Sequence, residues 1–144
     1  MSSEETALSQ RIRDTREYLK PAGVAEPVQP YTHVVRAGNT LYLSGQVPID
    51  ANGDVVGPGD PTLQAEQCWK NIELCLAAAG AGLADIVKVV CFFSDIRHVP
   101  YEIEVRRRLF TAGQYPAVSL MEAAKVGSTK DNILMEIDVI AVLP

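Results

Sequence analysis

The chain has little of what most functional classes require. Cysteine appears three times, as Cys68, Cys75 and Cys91. The odd count and the lack of a C-x-x-C pair speak against a disulfide framework and a zinc site. Cys68 and Cys75 lie seven apart on one face of an expected helix and are read as buried packing groups. Histidine is confined to His33 and His98. Neither has partner spacing for a metal or a nucleophilic triad, so both are read as surface or strand residues. Basic residues are outnumbered, 13 against 18 acidic, for a net charge of -5. That balance argues against a nucleic-acid partner, whose binding rests on clustered Lys and Arg. No apolar run approaches the roughly 18 residues of a membrane span. The first 20 residues are charged and lack the apolar core of a signal peptide, so the expected location is cytoplasmic. Gly57-Pro58-Gly59 lacks the Lys-Ser/Thr of a phosphate loop.

What remains is an ordinary globular composition, 47% hydrophobic and 22% charged over 144 residues, enough for one domain with its own core. Residues 1–27 read as an N-terminal extension. Within it, 4–19 form a weak, charge-studded helix ended by Pro21 and Gly23, and 21–30 form a Pro-containing linker. Residues 28–144 read as the single domain. Segments 32–36 and 40–44 flank Ala37-Gly38-Asn39 as a hairpin, and 48–61 read as a loop rich in Gly, Pro and Asp. The clearest helix is 61–79, with Leu63, Cys68, Ile72, Cys75 and Leu76 near helical period. Residues 85–94 form a buried strand. A second helix is expected over 100–112, with Glu102–Arg106 and Glu104–Arg108 as i,i+4 pairs on a wet face. Strands 118–124 and 134–143 close the chain. Helices alternating with single strands, with hairpins at both ends, predict an α+β sandwich with a mixed sheet and two helices on one face.

The last strand alternates. Met135, Ile137, Val139 and Ala141 fall on one face, fit for a core, while Glu136, Asp138 and Ile140 fall on the other. Two carboxylates among apolar neighbours fit a solvated face, or a face used for association or for a site, where each acid must be paired, hydrogen-bonded or protonated.

Leu41-Tyr42-Leu43-Ser44-Gly45-Gln46, Asp85-Ile86-Val87-Lys88, Tyr115-Pro116-Ala117 and Glu136-Ile137-Asp138-Val139-Ile140-Ala141 occur in this order and spacing. Over 28–143 the chain thereby resembles the YjgF/Rid family of imine and enamine deaminases. The resemblance implies a chorismate-mutase-like fold, assembled as a homotrimer with clefts between subunits. It implies hydrolysis of a small-molecule imine or enamine with no metal or organic cofactor.

It also implies site residues. Tyr31 matches a family tyrosine that holds the polar end of the substrate. Ser44 and Gly45 match the cleft-lining Ser-Gly. Glu136 matches the glutamate that positions the attacking water, with Asp138 as a structural partner. Glu122 matches a further family acid. Three positions depart from the pattern. Val118 stands where the family has a carboxylate-clamping arginine, Ile103 where an asparagine is frequent, and Leu120 where a cysteine is frequent. A cleft lined by these three is more apolar and lacks the planar fork that binds a carboxylate. The expected substrate is therefore not of the 2-aminoacrylate type, unless Arg106, Arg107 or Lys125 anchors it instead. The alternative reading is a trimer of the same family that binds a metabolite or protein without catalysis.

Overall fold

The computed structural model describes residues 1–127 and 129–144. The elements are α1 (Ser3–Asp14), β1 (Arg16–Leu19), β2 (Val34–Ala37), β3 (Thr40–Gln46), α2 (Pro61–Ala77), β4 (Ile86–Phe93), α3 (Val99–Leu109), β5 (Ala117–Glu122) and β6 (Met135–Val142). The six strands form one mixed sheet in the order β1-β2-β3-β6-β4-β5. Only β4 and β5 run parallel, because α3 is the crossover that parallel neighbours need. Local chemistry sets the helix starts. Asp60 caps α2 by accepting the Leu63 N–H at 3.1 Å, with Pro61 in the first turn. Ser2 and Glu5 form a reciprocal capping box for α1.

Two expectations about the N-terminal third are corrected. The helix read over 4–19 ends at Asp14, and Arg16–Leu19 instead pair with β2 as the sheet's edge strand. His33, read as a surface or strand residue, is buried and hydrogen-bonded.

β6 sits between β3 and β4, and its burial alternates as expected. Met135, Ile137, Val139 and Ala141 are buried, whereas Glu136, Asp138 and Ile140 are half-buried on the other face. The buried set packs with Leu41, Leu43, Val89, Cys91 and Phe93, beneath Trp69, Ile72, Cys75 and Leu76 of α2. Burial holds the thiols in the neutral form: Cys75 is pushed up to about 12, and Cys68 and Cys91 are raised as well.

Among the described residues the core contains one carboxylate. Glu102 of α3 is fully buried and accepts the Trp69 Nε1–H at 3.0 Å. Arg106 donates Nε to both its oxygens at 3.1 Å and Nη2 to Oε1 at 2.8 Å. The Cys91 Sγ lies 3.7 Å from Oε1. This i,i+4 pair therefore lies inside the protein and not on a wet face. The second expected pair is also different, since Arg108 reaches Glu66 of α2 at 3.4 Å. Removing one partner of a buried ion pair leaves an uncompensated charge. Glu102→Ala should lower unfolding stability by about 3–5 kcal/mol in denaturant titration. Arg108→Ala, at an exposed pair, should change it by less than about 1 kcal/mol.

Candidate active site

The site begins with an irregularity in β3. Leu43 pairs with Val139 of β6 while Gln46 pairs with Ile137, so one extra residue sits between them on β3. Such a bulge re-aims the chain, and here it carries Ser44 and Gly45. The Ser44 N–H donates to the His33 carbonyl at 2.9 Å, and its hydroxyl donates to the Thr32 carbonyl at 2.6 Å. Ser44 thus ties the segment that carries Tyr31 to the sheet. A Cβ on Gly45 would lie 2.5 Å from Glu136 Oε1 and 2.6 Å from Asp138 Oδ1. Glycine here is what lets the two carboxyl groups lie against the backbone of β3.

The neighbouring groups are fixed by buried amides. The Nε2 of His33 meets the Ala25 carbonyl at 2.8 Å, so that nitrogen carries the proton. Its Nδ1 then accepts from Gln46 Nε2 at 3.2 Å. The Tyr31 ring stands edge-on to His33, with centroids 5.4 Å apart. On α2, Asn71 Nδ2 donates to the carbonyls of Val47 and Ile49, at 3.1 and 2.9 Å. Gln64 donates to the Asn132 carbonyl at 2.6 Å and accepts the Leu134 N–H at 2.8 Å. Helix α2 therefore holds two walls of one cleft without entering it.

That cleft, of about 280 Å³, is lined by Tyr31, Ser44, Gly45, Glu136, Val47 and Lys130, among others. Glu136 is half-buried. Burial raises its pKa and the neighbouring Asp138 carboxylate adds to the shift, opposed by the Gly127 N–H that it accepts. Burial also raises Asp138. Tyr31 is raised by burial first, then by Cys75 and Glu136, which keeps its hydroxyl protonated and able to donate. A carboxyl with a raised pKa is better suited than an ordinary one to take up and return protons. Among the described residues no cluster of three or more His, Cys, Asp or Glu is placed to hold a metal ion.

A family model described as endoribonuclease L-PSP matches residues 22–143. The RutC family protein UK114 of Drosophila melanogaster is 34% identical over 126 residues, covering 88% of this chain and 88% of the relative. The chain belongs to the YjgF/Rid family. A protein of Acinetobacter baylyi named 3-aminoacrylate deaminase RutC is 32% identical over 126 residues, covering 88% of this chain and 97% of that one. The crystal structure of Escherichia coli TdcF with bound serine superposes with a TM-score of 0.79 at 26% identity, covering 89% of this chain and 99% of that chain.

The residues that the family resemblance implies for the site fall into two groups. Tyr31, Ser44, Gly45 and Glu136 share the cleft. Val118, Leu120 and Glu122 lie on β5 at the sheet edge, in register with Val89, Cys91 and Phe93. Those β4 partners are buried, whereas Glu136 and Asp138 are in register with Phe92 and Val90 on the alternate face. The Glu122 carboxylate accepts the Ile96 N–H at 3.0 Å and faces away from the cleft of its own chain. Ile103 lines a separate cavity with Arg106, Arg107 and Tyr115. Sequence reasoning missed Lys130, Val47, His33, Gln64 and Asn71. A buried Asn or Gln on an apolar helix face was the available signal for the last two.

Filling the space above Gly45 forces Glu136 and Asp138 to move. Gly45→Ala should cost about 1–3 kcal/mol as an overpacking change and should displace the NMR titration curve of Glu136. Linkage gives a second outcome. Glu136 holds its proton more tightly folded than unfolded, so stability is lost as pH rises through the window between its ordinary and raised pKa. Glu136→Gln should remove that loss, read as a flatter denaturation midpoint across the carboxylate range.

Proposed function

We propose that the protein is a hydrolytic deaminase of a small imine or enamine. The observation that carries this reading is the meeting of Glu136, Tyr31 and Gly45 in one cleft, with Glu136 shifted toward neutral pH by burial and by Asp138. The family, and the deaminase name carried by the A. baylyi relative, support it. In the reaction, the oxygen of a water held by Glu136 bonds to the imine carbon. The π pair of C=N moves onto nitrogen, and Glu136 carries the water proton there. The carbinolamine then collapses. Its hydroxyl proton passes through Glu136 to nitrogen, the C–N bond breaks, and ammonia and a carbonyl product leave. An enamine enters the same path once it tautomerises, its carbon gaining a proton from water as its nitrogen returns one to water. A group that accepts and returns a proton twice per turnover works best with a pKa near the operating pH. The Tyr31 hydroxyl and the Gly45 backbone hold the polar end of the substrate. Every atom in these steps comes from substrate, water and side chains, so the mechanism calls for no cofactor.

The working unit in this proposal is a homotrimer in the cytoplasm. Tyr42 and Met121, 50% and 43% exposed, share the sheet face of Glu136 with half-buried Val90, Phe92 and Ile140. A sheet face of that composition favours association. Association is also what would set Ile103, Val118 and Leu120 of one subunit against the Glu136 cleft of the next. Val118 supplies no charge there, so a 2-aminoacrylate-type acid lacks its usual clamp.

Glu136→Gln should lower kcat for ammonia release by about 10²–10⁴-fold while light scattering shows an unchanged assembly. Wild-type kcat/KM should rise with pH through a midpoint above the ~4.3 of an unperturbed glutamate, because only the ionised form takes the water proton. Val118→Arg should lower KM selectively for imines that bear a carboxylate. Ammonia release that ignores Glu136→Gln would leave a metabolite-binding cleft and no deaminase.

A further inference from the structure

The second cavity is smaller, about 160 Å³, and is lined by Ile103, Arg106, Arg107 and Tyr115. Its chemistry is specific. Two guanidinium side chains and a phenol surround it, in a chain with net negative charge. Arg106 is an unusual surface arginine, with its side chain only 14% exposed. The fully buried Glu102 fixes its orientation through Nε and Nη2, and Trp69 and Cys91 hold Glu102 in turn. With Nε and Nη2 committed, the Nη1 edge is the one left to serve a ligand. Tyr115 lies close enough to the guanidinium to act on it electrostatically. Arg107 completes the rim. Among the described residues its one ion pair, to Glu104 at 3.6 Å, joins two exposed side chains and is weak enough to yield to a ligand.

We propose that Arg106, Arg107 and Tyr115 form an oxyanion subsite that holds the carboxylate or phosphate of the substrate. Rigid, partly desolvated guanidinium groups are the side chains suited to such ions. The position carries the meaning. Tyr115 lies two residues before β5, whose Val118 cannot bind an anion, and the cavity shares Ile103 with the residues expected to face substrate. An anchor missing from the strand is thus present on the adjacent helix. The identity of the ligand's reacting end rests on the deaminase reading. The oxyanion subsite does not.

The test is calorimetric titration of the full-length protein with pyruvate, with inorganic phosphate, and with acetone as the uncharged control. Pyruvate or phosphate should bind, more weakly as salt rises, and acetone should not. The tighter of the two anions identifies the group. Arg107→Gln should weaken anion binding by about tenfold, the loss of one charge-assisted hydrogen bond. The double variant Glu102→Gln/Arg106→Gln removes the anchor without leaving a buried charge and should abolish saturation. Should that variant fail to fold, Arg107→Gln and Tyr115→Phe decide. Equal binding of acetone, or anion affinity unchanged in the variants, would overturn the subsite. Failure of the deaminase reading looks different: Glu136→Gln leaves ammonia release unaltered while anion binding and its loss in Arg107→Gln persist.

Discussion

A single carboxylate inside the core organises the half of the molecule that holds α3. Moving an ion out of water costs several kcal/mol even after relaxation, so a fully buried Glu102 persists only with its bonds complete. The indole of Trp69 and the guanidinium of Arg106 supply them. Trp69 belongs to α2, Glu102 and Arg106 to α3, and Cys91 to β4. One charge thereby fixes the rotation of α3 against the other helix and the sheet. It also fixes Arg106, whose side chain would otherwise sample many rotamers. An exposed pair at the same i,i+4 spacing would set neither.

A comparable constraint governs the other half. The bulge in β3 and the missing side chain at Gly45 open a space that two carboxyl groups fill. Burial and mutual repulsion raise the proton affinity of Glu136, and Gly127 partly offsets this through its N–H. The walls of the cleft hang from α2 through Asn71 and Gln64, and Tyr31 is braced by His33 and Ser44. Fixed dipoles and a phenol thus lie around an acid whose proton affinity is raised. The proposed proton transfer would find in this arrangement little reorganisation left to perform.

Periodicity made much of this legible. The alternation along β6 separates core from carboxylate face because a strand has period two, and the run at 86–93 reads as a strand from its β-branched and aromatic residues. The Ser44–Gly45 segment and Glu136, distant in sequence, were placed together by family resemblance, and they share a cleft in the structure. What could not be read depended on tertiary context. Arg16–Leu19 look helical by composition, yet they pair with β2, because an open sheet edge outweighs a weak local propensity. Glu102 and Arg106 have the spacing of a wet helix pair. Nothing local says that Trp69, 33 residues earlier, stands ready to bond the carboxylate. His33 looked isolated for the same reason, since its partners Ala25 and Gln46 come from a loop and from the next strand.

The placement of charge connects these features. In a chain of net charge -5, an anionic ligand meets repulsion over most of the surface, and a local pair of arginines gains contrast from that background. The two cavities do different electrostatic work. One concentrates negative charge and raises a carboxyl's proton affinity; the other concentrates positive charge on a helix pinned by a buried acid. Lys130 also lines the Glu136 cleft, and keeping Arg106 and Arg107 in the other cavity spares that carboxyl two further cations, each of which would lower its pKa. In the proposed deaminase, an acidic substrate held through α3 and reacting at β6 would keep the proton-binding carboxyl and the anion anchor on separate elements.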